Sequence, residues 1–273
     1  MIWLLVAIVT LLVLMPGERA QAQSDLSSQF SSHYAAGLRD MRSGKQEDAL
    51  QEFTEAIAAR PDAQAYAMRG ITNAFLKKYS PAIADFNEAI SLDPNVDAVI
   101  YFDRAKAEQN NHLPEKARAD LDIVIKNAGG NLELLRGAYS LEKRYTEALK
   151  IDNELISQDP TNPWNWDGRC LSRAMVNSPE EALPDCDQAI SLRSNAVNLY
   201  VDRGVVRLKA GHLNDALSDF TVALRLEPKS SAAMFGIGTV ETRLGNASDG
   251  AAKIAEAKQI NADIENEVPL NPW

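Results

Sequence analysis

The chain has 273 residues, a formal net charge of −10 at pH 7, a pI near 4.9, two cysteines and three histidines. An acidic chain without a basic stretch argues against nucleic acid and anionic lipid surfaces as partners. The length alone would indicate about two compact domains, and the distribution of residues along the chain tests that expectation.

The N-terminal segment predicts export. Ile2–Met15 is almost entirely apolar, and Ala20-Gln21-Ala22 follows it as an A-x-A sequence. This combination predicts a signal peptide over residues 1–22, cleaved near Ala22, and hence a periplasmic or secreted protein. An apolar segment shorter than the roughly 20 residues needed to span a bilayer still leaves an uncleaved membrane anchor as the alternative, and only that alternative predicts membrane contact. Residues 23–29 are predicted as a linker.

The rest of the chain repeats itself at a regular interval. The segments Tyr66–Gly70 and Ala82–Pro94 have clear counterparts in Tyr200–Gly204 and Ala216–Pro228. An alanine opens the second half of each copy, and a glycine replaces it in the seventh: Ala49, Ala82, Ala117, Ala148, Ala182, Ala216 and Gly250. The period is about 34 residues, a length that is typical of repeat architectures.

Each copy is predicted to form two short amphipathic helices. Small and apolar residues recur at helical spacing in both halves, and a turn sequence separates the halves. Proline, which cannot continue a helix, ends the second half at Pro61, Pro94, Pro160 and Pro228.

This pattern resembles the tetratricopeptide repeat (TPR) family, whose helix-turn-helix repeat has about 34 residues. The resemblance implies an all-α fold in which about seven TPR repeats stack as a right-handed superhelical solenoid, with the first helix (A) of each repeat lining a concave groove. The repeats are expected at residues 30–62, 63–97, 98–128, 129–162, 163–196, 197–230 and 231–264, before a C-terminal tail at 265–273. In the fourth repeat Arg136-Gly137 lies one residue closer to Ala148 than in the other repeats, so its helix A or its turn is expected to be short.

Four repeats carry an arginine in helix A, at a position i, and an aspartate at position i+16: Arg69 and Asp85, Arg104 and Asp120, Arg169 and Asp185, Arg203 and Asp219. Residues equidistant from the turn of two antiparallel helices lie side by side, so this spacing predicts contact. We interpret the four pairs as structural ion pairs that set helix packing rather than as catalytic groups.

Cys170 and Cys186 have the same i, i+16 spacing, at the small-residue position of helix A and the aromatic position of helix B. In a secreted chain this favours a disulfide. The alternative is a pair of buried thiols that behave as small hydrophobic side chains.

The sequence lacks the motifs of the common catalytic sites. It has no glycine-rich phosphate loop after a strand, no nucleophile elbow and no zinc-protease motif. His112 and His212 fall in turns, and no third or fourth ligand accompanies the two cysteines. We therefore expect a chain that is not an enzyme and that needs no cofactor or metal.

The resemblance implies a groove that binds a protein partner. Carrying the family's register onto this chain gives candidate contact residues, which are Phe75, Phe102, Lys106, Asn110, Trp164, Leu171, Asn198, Val201, Lys209 and Arg243, and the same register includes Asp167 and Asp202. This mixed surface suits an extended peptide or a partner helix.

The family's lysine and asparagine clamp for a C-terminal carboxylate is absent, because apolar residues such as Ala67 and Ile71 take its positions. Trp164 is the leading contact candidate, with packing against the preceding repeat as the alternative.

Overall fold

A computed structural model describes residues 15–176 and 178–268. All regular secondary structure in these ranges is helical, which confirms the predicted all-α class. The apolar N-terminal segment and the last five residues lie outside the described ranges. The chain divides into two compact units, Met1–Gly129 and Gly130–Trp273, which are described separately.

The N-terminal unit contains three helix pairs over residues 15–129. Their helices are α1 (Pro16–Arg42), α2 (Gln46–Ala59), α3 (Ala63–Phe75), α4 (Tyr79–Leu92), α5 (Ala98–Asn110) and α6 (Pro114–Asn127). Each helix packs on the next one along the chain. Residues 23–29, predicted as a linker, lie within α1, and so do residues 16–22 of the predicted signal peptide.

Within its described residues, the C-terminal unit contains four helix pairs followed by a short helix. They are α7 (Leu132–Leu141), α8 (Tyr145–Gln158), α9 (Pro163–Val176), α10 (Pro179–Leu192), α11 (Val197–Ala210), α12 (Leu213–Leu226), α13 (Ser231–Arg243), α14 (Ala247–Ile260) and α15 (Ile264–Glu267). Helix α7, the A helix of the fourth repeat, has only 10 residues, as its sequence predicts. The residues predicted as a tail begin inside α15, and Ile264 and Val268 are buried in the core of this unit.

Local sequence explains where the A helices begin. Asp62, Asp97, Asn131 and Ser230 precede α3, α5, α7 and α13, and each side chain accepts a hydrogen bond from a backbone N–H of the first turn. Such caps satisfy donors that have no partner inside the helix. The caps therefore fix the start of four A helices and, with them, the spacing of the repeats.

The core of each pair depends on close approach of its two helices. The six alanines that open the B halves are fully buried. A Cβ atom added to Gly70 or Gly204 would lie 2.8 Å or 2.7 Å from the ring of Phe86 or Phe220. The aromatic ring of helix B therefore packs directly on the backbone of helix A, and a larger residue at either glycine would force the helices apart.

No helix in the described ranges combines the length and the apolar character needed to cross a bilayer.

Candidate functional site

The four arginine–aspartate pairs are in contact as predicted. In each pair the guanidinium donates from Nε and Nη2 to the two carboxylate oxygens. In the pair of Arg203 and Asp219 these two hydrogen bonds are 3.0 Å and 2.6 Å long. The same fork joins Arg69 to Asp85, Arg104 to Asp120 and Arg169 to Asp185. The aspartates are buried and the arginines partly exposed, so these groups are part of the packing between helices.

Each arginine also reaches the preceding repeat, which the spacing rule did not predict. Its Nη1 donates to a side chain of the previous B helix, for example to Asn87 from Arg104 at 2.7 Å and to Asp187 from Arg203 at 2.7 Å. Thr54 and Asn153 accept equivalent bonds from Arg69 and Arg169. One side chain therefore ties three consecutive helices together.

A fifth pair with the same spacing was not among those predicted. Arg136 and Asp152 also stand at i and i+16, but their closest atoms are 3.8 Å apart. Arg136 instead donates at 3.1 Å to the backbone carbonyl of Trp164 in the following repeat. One oxygen of the fully buried Asp152 is left without a hydrogen bond, while the other accepts from Ser172 at 2.6 Å. Burial raises the pKa of Asp152 to about 6, against the opposing effects of Ser172 and Arg136.

Cys170 and Cys186 are joined by a disulfide in this structure, with their Cα atoms 5.3 Å apart. Both are buried between α9 and α10. They occupy the positions at which the second and sixth repeats place Gly70 with Phe86 and Gly204 with Phe220. The disulfide therefore stands in place of the aromatic contact of those repeats.

The predicted groove residues of the N-terminal unit lie on α3 and α5. Phe75 is 70% exposed, and Lys106 and Asn110 are exposed as well. Phe102 is half-buried, and the Lys106 ammonium lies 5.6 Å from the centre of its ring. A cavity of about 410 Å³ in this unit is lined by Tyr34, Gln64, Ala67, Met68 and Ile100, among others, and of these Gln64 and Ala67 belong to the family's groove register.

The predicted residues of the C-terminal unit converge on a cavity of about 610 Å³. Its walls come from the A helices α7, α9 and α11, the start of α8, and Val268. Four of the predicted contact residues line it, namely Trp164, Leu171, Val201 and Lys209. Asn198 and Arg243 are exposed outside it, and Arg243 donates to the carbonyl of Leu208 at 3.4 Å.

Trp164 lines the cavity, and the cluster against which its ring packs belongs to its own repeat and the following one, whereas the alternative interpretation named the preceding repeat. Its side chain is half-buried and lines the cavity. The ring also packs against the cluster formed by Ala189, Ile190 and Leu199, and the guanidinium of Arg193 lies 5.7 Å from the ring centre. Val201 is only 6% exposed and therefore contributes to the cavity wall more than to an open surface.

Two carboxyl groups face each other in this cavity. Asp167 of α9 is 9% exposed, Asp202 of α11 is half-buried, and their side chains are hydrogen-bonded to each other. Burial and their mutual repulsion raise the pKa of the Asp167 carboxyl, and burial raises that of Asp202 to about 7. Two close carboxyls cannot both ionise easily, so near neutral pH the pair shares one proton and can accept hydrogen bonds from a ligand.

Among residues 15–176 and 178–268, no three His, Cys, Asp or Glu side chains are grouped in a way that could hold a metal ion.

The repeated helix pairs have counterparts in known proteins. The family profile described as Tetratricopeptide repeat matches residues 34–97 and 201–263. These two segments therefore carry tetratricopeptide repeats. Curated relatives of this TPR chain include Hsp70-Hsp90 organizing protein 3 of Arabidopsis thaliana, 22% identical over 68% of the chain, and RNA polymerase II-associated protein 3 of Mus musculus, 27% identical over 64% of it. The matched region spans only 32% and 27% of those two relatives.

Solved structures share the fold. A tetratricopeptide repeat protein from Parabacteroides merdae ATCC 43184 superposes with a TM-score of 0.63 at 20% identity, over 76% of this chain and 82% of that one. Yeast Tom70 superposes with a TM-score of 0.57 at 16% identity, over 88% of this chain and 52% of that one. At these identities the likeness establishes the arrangement of helices alone.

Proposed function

We propose that this TPR chain is a non-catalytic scaffold or adaptor that binds a peptide or helix of a partner protein in the groove of its A helices. The cavity in the C-terminal unit carries the proposal, because A helices of three successive repeats build it. It combines apolar walls with a few polar groups, which is the usual composition of a ligand site. The sequence contains no glycine-rich phosphate loop after a strand, no nucleophile elbow and no zinc-protease motif.

The relatives support a role in assembly. By its name, Hsp70-Hsp90 organizing protein 3 of Arabidopsis thaliana organises two other proteins. The present chain matches 32% of that relative, so the proposal extends to partner binding and leaves the partner open.

We further propose a periplasmic or secreted location. The apolar segment Ile2–Met15, the sequence Ala20-Gln21-Ala22 and the Cys170–Cys186 disulfide support it, since disulfides persist in oxidising compartments. The alternative is a membrane-tethered envelope assembly or regulatory subunit whose N-terminal segment is not cleaved. Helix α1 continues from Pro16 past Ala22, and this continuity supports the alternative. N-terminal sequencing of the protein from its native cells separates the two, because cleavage would remove residues 1–22.

Site-specific photocrosslinking in native cells tests the scaffold proposal. A benzophenone side chain at Leu171, in the cavity, is expected to form adducts with a partner protein. The same group at Thr221, exposed on helix B of the sixth repeat, is the matched control and is expected to form none. Replacing Trp164 with alanine should lower the adduct yield from Leu171 while helicity is retained. Equal adducts from both positions, or adducts from Thr221 alone, would contradict binding in the groove.

A further inference from the structure

The carboxyl pair in the C-terminal cavity differs from the other buried aspartates in its charge partners. Within the described part of the chain, neither Asp167 nor Asp202 forms an ion pair with a lysine, arginine or histidine. The four aspartates of the arginine pairs are buried, and each binds a guanidinium through two hydrogen bonds. Buried carboxylates are ordinarily paired, so Asp167 is the exception among the buried aspartates that the structure describes in this unit.

The two basic groups in the cavity wall are engaged elsewhere. Arg136 donates to the Trp164 carbonyl and lies near Asp152. The Lys209 ammonium donates to the carbonyl of Ala174 and lies 3.5 Å from the sulfur of Met175. Both basic side chains therefore donate to backbone carbonyls of α9. Asp167 and Asp202 remain available to a ligand.

The rest of the wall is apolar and close to the pair. Leu171 and Met175 follow Asp167 along α9, and Val201 and Val205 flank Asp202 on α11. A long aliphatic stem that ends in a positive charge matches this arrangement, because lysine and arginine bury the stem along apolar surface and place the head beside an acceptor. A carboxylate ligand would instead face two acidic groups.

We propose that this cavity binds a lysine or arginine side chain of an extended partner segment, with its cationic head at Asp167 and Asp202 and its stem against Leu171 and Val205. This inference rests on the proposed groove function and names the chemistry of the partner. The net charge of −10 acts in the same direction, since it attracts basic segments over a longer range.

Binding of the cation would displace the shared proton, so affinity should increase as pH rises through about 7, the pKa of Asp202. The other charged or titratable groups that face the pair are Arg136 on α7, Asp152 and Tyr145 on α8, and Lys209 on α11. Arg136 lowers the pKa of Asp167 and Asp152 raises it. Asp152, whose pKa burial raises to about 6, titrates near the same range, and its ionisation would also favour a cation.

Selection from a random nine-residue peptide library displayed on phage, with the full-length protein as bait, tests the proposal. The selected peptides are expected to share one lysine or arginine, and the double variant Asp167→Asn/Asp202→Asn is expected to lose that preference. The matched control, Asp122→Asn/Asp249→Asn, removes two exposed carboxylates and should keep it. In a synthetic copy of a selected peptide without histidine, norleucine in place of the basic residue should weaken binding roughly 10- to 100-fold.

The outcomes separate this inference from the function on which it rests. Selected peptides with acidic or purely apolar anchors, or a basic preference that survives in the Asp167→Asn/Asp202→Asn variant, would overturn the inference and leave the groove function standing. Failure of the wild-type protein to select any peptide would overturn both. A measurement on the wild-type protein alone is decisive in its own right, because an affinity for the basic peptide that does not rise between pH 5.5 and 8 would also contradict the proposal.

Discussion

At the scale of single residues, one side chain decides how well each buried aspartate is paired. This side chain lies twelve residues before the aspartate. Asn73 donates to Asp85 at 2.9 Å, and Arg207 donates to Asp219 at 2.7 Å. Arg173 takes the same position in the fifth repeat, 2.9 Å from Asp185. In the third repeat the position holds Glu108, which cannot donate when ionised. Its Oε2 has no hydrogen bond, and burial together with the Asp120 charge raises the pKa of Glu108.

We predict that Glu108→Gln stabilises the protein at pH 7 by about 1 kcal/mol, because an amide can donate to Asp120 and carries no charge. The folded chain holds the Glu108 proton at a higher pH than the unfolded chain does, so wild-type stability is lost as pH rises through the raised pKa. The gain from Glu108→Gln should therefore shrink at pH 4. Urea unfolding at both pH values measures it.

The control for this substitution is Glu115→Gln, which changes an exposed carboxylate in the same repeat. An equal change in the unfolding midpoint for both variants, or a gain at pH 4 as large as at pH 7, would show that pairing at Asp120 is not the cause.

At the scale of helix pairs, the fifth repeat packs its two helices differently from the second and the sixth. The second and sixth pairs place a phenylalanine ring against a glycine, whereas the fifth pair places the Cys170–Cys186 disulfide at the equivalent positions. Both arrangements join the middle of helix A to the middle of helix B. The disulfide therefore replaces the contact between phenylalanine and glycine. The second and sixth pairs show the same packing of two helices without a covalent bond.

We predict that Cys170→Gly/Cys186→Phe restores this equivalent and gives a melting temperature that does not change on addition of reductant. Wild-type protein should melt at a lower temperature when reduced, since closing a loop of this length is worth on the order of 3 kcal/mol. The matched variant Cys170→Ala/Cys186→Ala lacks both contacts and should melt below the glycine and phenylalanine variant. Thermal unfolding followed by circular dichroism makes the comparison, and the reverse order of the two variants would refute it.

At the scale of the whole molecule, buried acids oppose folding at high pH. The pKa values of Asp103 and Glu108 in the N-terminal unit, and of Asp152, Asp167 and Asp202 in the C-terminal unit, are all raised by burial. A carboxyl whose pKa is higher in the folded chain keeps its proton there while the unfolded chain loses it. The contribution of these groups to stability is thus greatest at low pH and falls as pH rises.

We therefore predict that the melting temperature falls between pH 5 and pH 8. Asp167→Asn/Asp202→Asn should flatten this dependence and stabilise the protein at pH 8 by roughly 2 kcal/mol, because it removes two groups that resist ionisation in the cavity. Asp122→Asn/Asp249→Asn removes the same net charge from exposed sites and should leave the slope unchanged. Calorimetric melts across the pH range measure the effect, and parallel slopes for the two double variants would count against it.

Local periodicity was enough to predict the helices and the arginine pairs, since residues at i and i+16 meet when the two helices of a repeat are antiparallel. The same rule would have found Arg136 with Asp152, although not the turn of Arg136 toward Trp164. Contacts between repeats were harder to foresee. Asp167 and Asp202 belong to successive repeats and meet because α9 and α11 are neighbours, and Val268 reaches the cavity through a final helix that the repeat pattern does not contain.

The third hydrogen bond of each arginine has a consequence for exchanging repeats. Because Arg104 contacts Asn87 and Arg169 contacts Asn153 across the junction, compatibility between neighbours depends on two positions, one in helix B and one in the next helix A. A repeat taken from elsewhere in the chain would fit a new neighbour if it brings an oxygen acceptor at the first position and arginine at the second. Because each of these arginines makes the same kind of contact across its junction, repeats could be duplicated, reordered or replaced while the other residues of the junction stay unchanged.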